Sequence, residues 1–73
     1  MRLIHRVGSC KDGSCPNVFD TDVEGLVAIQ GAELIDAEAL GQLSRMPAHE
    51  TVVLVPRDLL IEYAQKVQAG SDS

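Results

Sequence analysis

Tryptophan is absent, and Phe19 and Tyr63 are the only phenylalanine and tyrosine in 73 residues. A core built around large aromatic anchors is therefore excluded, and Leu, Ile, Val and Ala must fill the interior. Long apolar runs are also missing. None approaches the ~18 residues that a membrane span requires, so no membrane is expected as a partner. Basic residues are few: six Lys and Arg stand against eleven Asp and Glu, for a net charge of −5. Arg2, Arg6, Lys11, Arg45, Arg57 and Lys66 are scattered, and only the first three lie near one another. Contact with a phosphate backbone needs clustered cations, so direct binding to nucleic acid is not expected. Met1 to Val7 is too short and too interrupted by charge for a secretory signal, and the expected compartment is the cytoplasm.

The chemistry of catalysis is equally thin. No Gly-x-Ser-x-Gly elbow occurs, and there are only two histidines to act as bases. Gly8, Gly13, Gly25 and Gly31 are too dispersed to cradle a phosphate. Asp20, Asp22 and Glu24 gather around a turn expected to be exposed, a poor setting for acid–base work. No enzymatic activity and no cofactor are expected. Glu33, Asp36 and Glu38 extend this acidic set, which reads as a solvated face or as a patch for a basic protein.

What stands out is a pair of cysteines around a turn dipeptide, Cys10-Lys11-Asp12-Gly13-Ser14-Cys15. Asp-Gly favours a two-residue hairpin turn, because Gly supplies φ > 0 without steric cost. A turn at Asp12-Gly13 pairs Lys11 with Ser14 and sets Cys10 opposite Cys15, with Cβ atoms about 4.5–5.5 Å apart. The sulfurs can then meet as a disulfide, as a metal chelate or as a reduced pair. A reducing cytoplasm favours thiols. Zinc would need four ligands, and His5, Cys10, Cys15 and His49 are the candidates. The Cys-x4-Cys spacing is loose for zinc, and the two histidines are single and far apart, so folding is not expected to need metal. A redox role has a candidate pair in Cys10 and Cys15. It lacks the following helix whose dipole would activate a thiol, since Pro16 and a strand follow Cys15.

The apolar pattern yields a coarse order of elements. Leu3 to Val7 has strand length, with Leu3, His5 and Val7 on one face. Asn17 to Thr21 is a second strand, with Phe19 and Thr21 on one face and Val18 and Asp20 on the other. Asp22 to Gly25 turns, and Leu26 to Gln30 returns as a third strand. Leu34-Ile35 is a candidate fourth. Asp36 is suited to cap a helix that ends at Met46-Pro47, although Gly41 weakens its middle. Thr51 to Val55 is continuously apolar and β-branched, the pattern of a central strand covered on both faces. Pro56 suits the first turn of a final helix ending at Gly70. On it, Leu60, Tyr63, Ala64 and Val67 form a stripe to pack on the sheet, and Glu62 and Lys66 form an i,i+4 pair. Leu59 and Ile61 flank the stripe.

Three stretches together carry a resemblance: Cys15-Pro16-Asn17-Val18-Phe19-Asp20-Thr21, then Val27-Ala28-Ile29-Gln30-Gly31, then Val53-Leu54-Val55-Pro56-Arg57-Asp58-Leu59-Leu60. The chain resembles a group of small uncharacterised actinobacterial proteins with a Cys-Pro-x-aliphatic-aromatic stretch. That group is often encoded beside helix-turn-helix regulators, which implies a regulatory accessory role. The strand running into Val-Pro-Arg-Asp-Leu-Leu is also similar to swapped-hairpin transcription factors of the antitoxin type.

The expected fold is α+β: a small, mostly antiparallel sheet of three to four strands, with one or two helices packed on one face. Residues 1–70 form one domain and residues 71–73 a disordered tail. The expected function is a non-enzymatic, regulatory interaction module acting through protein–protein contact, with another protein or a second copy as partner. Leu59, Ile61 and Tyr63 are the candidate contact residues. The alternatives are a metal- or redox-responsive protein using Cys10 and Cys15, and an antitoxin-like DNA-associated regulator.

Overall fold

The computed structural model of the chain describes residues 1–10 and 15–71. Three antiparallel strands come first: β1 (Leu3–Gly8), β2 (Asn17–Thr21) and β3 (Val27–Gln30). They form a sheet in the order β1-β2-β3, so β2 is central. β4 (Ala32–Glu33) and β5 (Val53–Leu54) pair antiparallel as a separate ribbon. Helix α1 (Ala37–Gly41) lies between them, and α2 (Arg57–Ser71) closes the chain. The fold is α+β with a small antiparallel sheet, as the pattern of alternating and helical segments implies.

Register explains the core. Leu3, Ile4 and His5 pair with Thr21, Asp20 and Phe19, but Val7 pairs with Val18. Arg6 is the extra residue of a β-bulge. A bulge reverses the alternation of side chains, so Val7 joins Ile4 on one face while His5 stays with Leu3 on the other. The expectation that Leu3, His5 and Val7 share a face therefore fails at the bulge. Val7 and Val18 are buried together with Leu59 of α2, and Val55 and Tyr63 pack against this cluster. Gly8 follows with φ +107°, a conformation that L residues rarely adopt. A Cβ there would run into the Pro16 carbonyl and into Asn17.

The final helix turns a different side to the sheet than the expected stripe. Leu59 is 6% exposed, whereas Leu60 is 45% exposed and Val67 is exposed beside it. The seat of α2 runs through Leu59, Tyr63 and Lys66. Tyr63 donates its hydroxyl to Asp20 Oδ1 at 2.6 Å, and Lys66 donates its ammonium to the Arg6 carbonyl at 2.9 Å. Asp20 also pairs with Arg6 at 3.3 Å. These polar ties rotate the helix by about 100°, one residue, from the all-apolar seat. Lys66 thus bonds to β1 in place of the expected pairing with Glu62.

Elsewhere the elements are shorter than the pattern implies. The Thr51–Val55 run supplies only the two-residue β5, with Leu54 exposed, and it is not a central strand. The chain leaves the main sheet at Gly31, whose missing Cβ admits the Leu54 carbonyl and the Val55 side chain. The fourth strand therefore starts at Ala32, ahead of the expected Leu34-Ile35, and Leu34 N–H donates to the Val52 carbonyl at 2.9 Å. Asp36 caps α1 as expected, accepting from Ala39 N–H at 3.0 Å. The helix stops at Gly41 and not at Met46, because it buries no residue that would offset the cost of nucleation. Gly70 lies within α2, which continues through Ser71 of the expected tail. Residues 72–73 lie outside the described residues.

Candidate interaction surface and the disulfide loop

The far side of the sheet from α2 carries a polar tie across all three strands. Asn17 opens β2 and is buried. Its Nδ2 donates to the Cys15 carbonyl at 3.2 Å and to Gln30 Oε1 at 3.0 Å. With the amide nitrogen so engaged, Oδ1 is the acceptor in its 2.9 Å contact with His5 Nε2. His5 must therefore carry its proton on Nε2. The same ring meets Phe19 edge-on, with centroids 5.6 Å apart and planes at 70°. His5 is thus a sheet residue held by Asn17.

Cys10 and Cys15 are joined as a disulfide, with Cα atoms 3.9 Å apart. The Asp12-Gly13 turn expected between them lies outside the described residues. The four candidate zinc ligands are not assembled as a site. Each cysteine sulfur is bonded to the other, His5 bonds to Asn17, and His49 lies exposed in a loop 3.8 Å from Glu50. Among the described residues no group of three or more His, Cys, Asp and Glu side chains is placed to hold a metal ion.

The acidic set is only partly a free face. Asp20 is paired with Arg6 and accepts from Tyr63. Asp22 accepts from Arg2 N–H at 3.0 Å, and Asp36 is a helix cap. The Asp20 carboxylate pushes Tyr63 above the ordinary tyrosine pKa, through the hydrogen bond first and through burial and charge second.

Of the candidate contact residues, Leu59 is core and is removed from the surface by its packing on Val7 and Val18. Tyr63 is half-buried beside it. Ile61 is the one that stands exposed. Sequence reasoning missed a second surface, on β3. Val27 pairs with Asp20 and Ile29 with Val18, so both side chains lie on the face that carries α2. The helix seats chiefly on β1 and β2 and leaves β3 largely open. Val27 is 45% and Ile29 40% exposed. An open groove continues from Val27 past Leu26, Val23 and Ile4 to Tyr63. The signal available in the sequence was the spacing of Val27 and Ile29 itself, but not how far the helix would reach across the sheet.

No helix among the described residues is long and apolar enough to cross a membrane. No protein-family model, curated protein or solved structure matches the chain.

Proposed function

We propose that the protein is a non-enzymatic interaction module, regulatory in role, that works through contact with another protein chain. One observation carries this reading. The described core holds three buried hydrophobic residues, while Ile4, Leu26, Val27, Ile29, Leu60 and Ile61 are among the large apolar side chains left exposed. A chain that leaves this much apolar surface around a small core gains by covering it. The resemblance to small proteins encoded near helix-turn-helix regulators supports the regulatory role. The test is a photo-crosslinking residue placed at Val27, with the same residue at Thr51 as control. A discrete protein adduct at Val27 and not at Thr51 is expected. Absence of any adduct at Val27 overturns the reading.

A redox-responsive role is a second reading, favoured by the bond from Asn17 to the Cys15 carbonyl. That bond ties the disulfide loop to His5 and Gln30 across the sheet. A dithiol reductant would deliver two electrons and two protons to the disulfide, leaving two thiols and becoming a disulfide itself. The closed loop spans a sequence separation of five, for which the chain-entropy model gives about 2 kcal/mol of stabilisation. Denaturant unfolding with and without dithiol should differ by that amount. Equal stability in the two states would leave reduction without a structural consequence and remove this reading.

A further inference from the structure

We infer that the occupant of the uncovered surface is a second copy of this chain, joined edge to edge through β3 around a two-fold axis. The inference rests on the interaction reading above and names its partner. A compact monomer of 7.8 kDa exposes about 4,400 Å², whereas this chain exposes 5951 Å². Its radius of gyration is 14.2 Å, where about 11 Å is usual for this length. The surplus of roughly 1,500 Å² is spread over the whole chain, and the β3 edge with the groove beside it is one part of it.

The edge of the sheet says where. Among the described residues β3 pairs only with β2, and alternate residues of such an edge turn their N–H and C=O groups outward. Natural edges are guarded by short length, by a covering loop or helix, or by Lys, Pro, bulges and inward charges, and apart from being only four residues long β3 carries no such residue-level guard. The pairing of Val27-Ala28-Ile29-Gln30 to β2 is regular. The strand is also self-complementary. A two-fold axis normal to the sheet keeps both helices on one side, and it must set residues of the same face opposite each other. Centring the axis on Ala28 does so: Ala28 meets Ala28 of the other copy, and Val27 meets Ile29 twice. The two exposed apolar side chains of the helix face thereby cover one another in cross-strand pairs. The result is one six-stranded antiparallel sheet. Its junction contains no charge, so two chains of net charge −5 are not opposed at the contact itself.

Sedimentation equilibrium of the full chain across a concentration series reads the mass directly. A dimer of twice 7.8 kDa is expected. Val27→Lys and Ile29→Lys should each lose the dimer and keep native circular dichroism, while Ile61→Lys, on the outer side of α2, should keep it. Ala28→Cys under copper-catalysed air oxidation should form an intermolecular disulfide, because the axis brings the two residues opposite each other. A wild-type mass that stays monomeric at the highest concentration overturns the inference. So does a dimer in which Ala28→Cys fails to cross-link. A monomer that still gives an adduct with a different protein at Val27 sinks the second copy and leaves the interaction reading standing. A monomer with no adduct sinks both.

Discussion

Asn17 is the residue on which the far side of the sheet depends, since its amide reaches His5, Cys15 and Gln30 at once. Replacing it with Ala takes the buried amide from His5 Nε2–H, Gln30 Oε1 and the Cys15 carbonyl at once, although the His5 and Gln30 side chains themselves are exposed. Asn17→Ala should cost about 1–3 kcal/mol in denaturant unfolding. A cost near zero would show that water replaces the amide without loss. Tyr63 offers a cleaner readout, being the only tyrosine in the chain. Its near-ultraviolet absorbance titrates one group, and the midpoint should lie above the ordinary 10.0 because Asp20 favours the neutral phenol. The sign follows from linkage: a raised folded pKa means the contribution to stability is complete below pH 10 and is lost as pH rises through the folded value. Asp20→Asn removes the charge and should bring the midpoint down toward 10. A midpoint at or below 10 in the unsubstituted chain would mean that the Tyr63–Asp20 bond does not persist in solution.

At the scale of elements, the seat of α2 separates two readings of one helix. Leu59→Ala removes a core side chain and should cost about 2–5 kcal/mol. Leu60→Ala, at an exposed position, should change stability by no more than about 0.5 kcal/mol in the monomer. The reverse order, measured by urea unfolding at low concentration, would restore the stripe that periodicity alone implies. That stripe was legible as an amphipathic helix but not in its rotation. Apolar spacing at Leu60, Tyr63, Ala64 and Val67 cannot reveal that Lys66 and Tyr63 would be held by Arg6 and Asp20. The same limit applies to β1, where the bulge at Arg6 has no Gly or Pro to announce it. β2, the turn before β3 and the Asp36 cap were legible because each rests on local chemistry. The Thr51–Val55 run was not, because a continuous apolar stretch has no period to say which sheet it joins, or for how long. The cysteine contact was legible from spacing, whereas the β3 surface required knowing how much of the sheet one helix covers. Asp36→Ala should cost α1 about 1 kcal/mol. Faster amide exchange at Ala39 would register it, and unchanged exchange would show the cap to be unnecessary.

The whole molecule sets a small core of Val7, Val18 and Leu59 against a surface far larger than a compact chain of this mass requires. An assembly that binds only the folded form adds stability by mass action, so the melting temperature should rise with protein concentration. The most direct measurement is amide hydrogen exchange along Val27–Gln30 over a wide dilution series. Paired edges predict that the outward-facing amides of β3 are slow at high concentration and fast on dilution, while those of β2 stay slow throughout. Exchange along β3 that is equally fast at every concentration would contradict the pairing and leave the edge open to solvent.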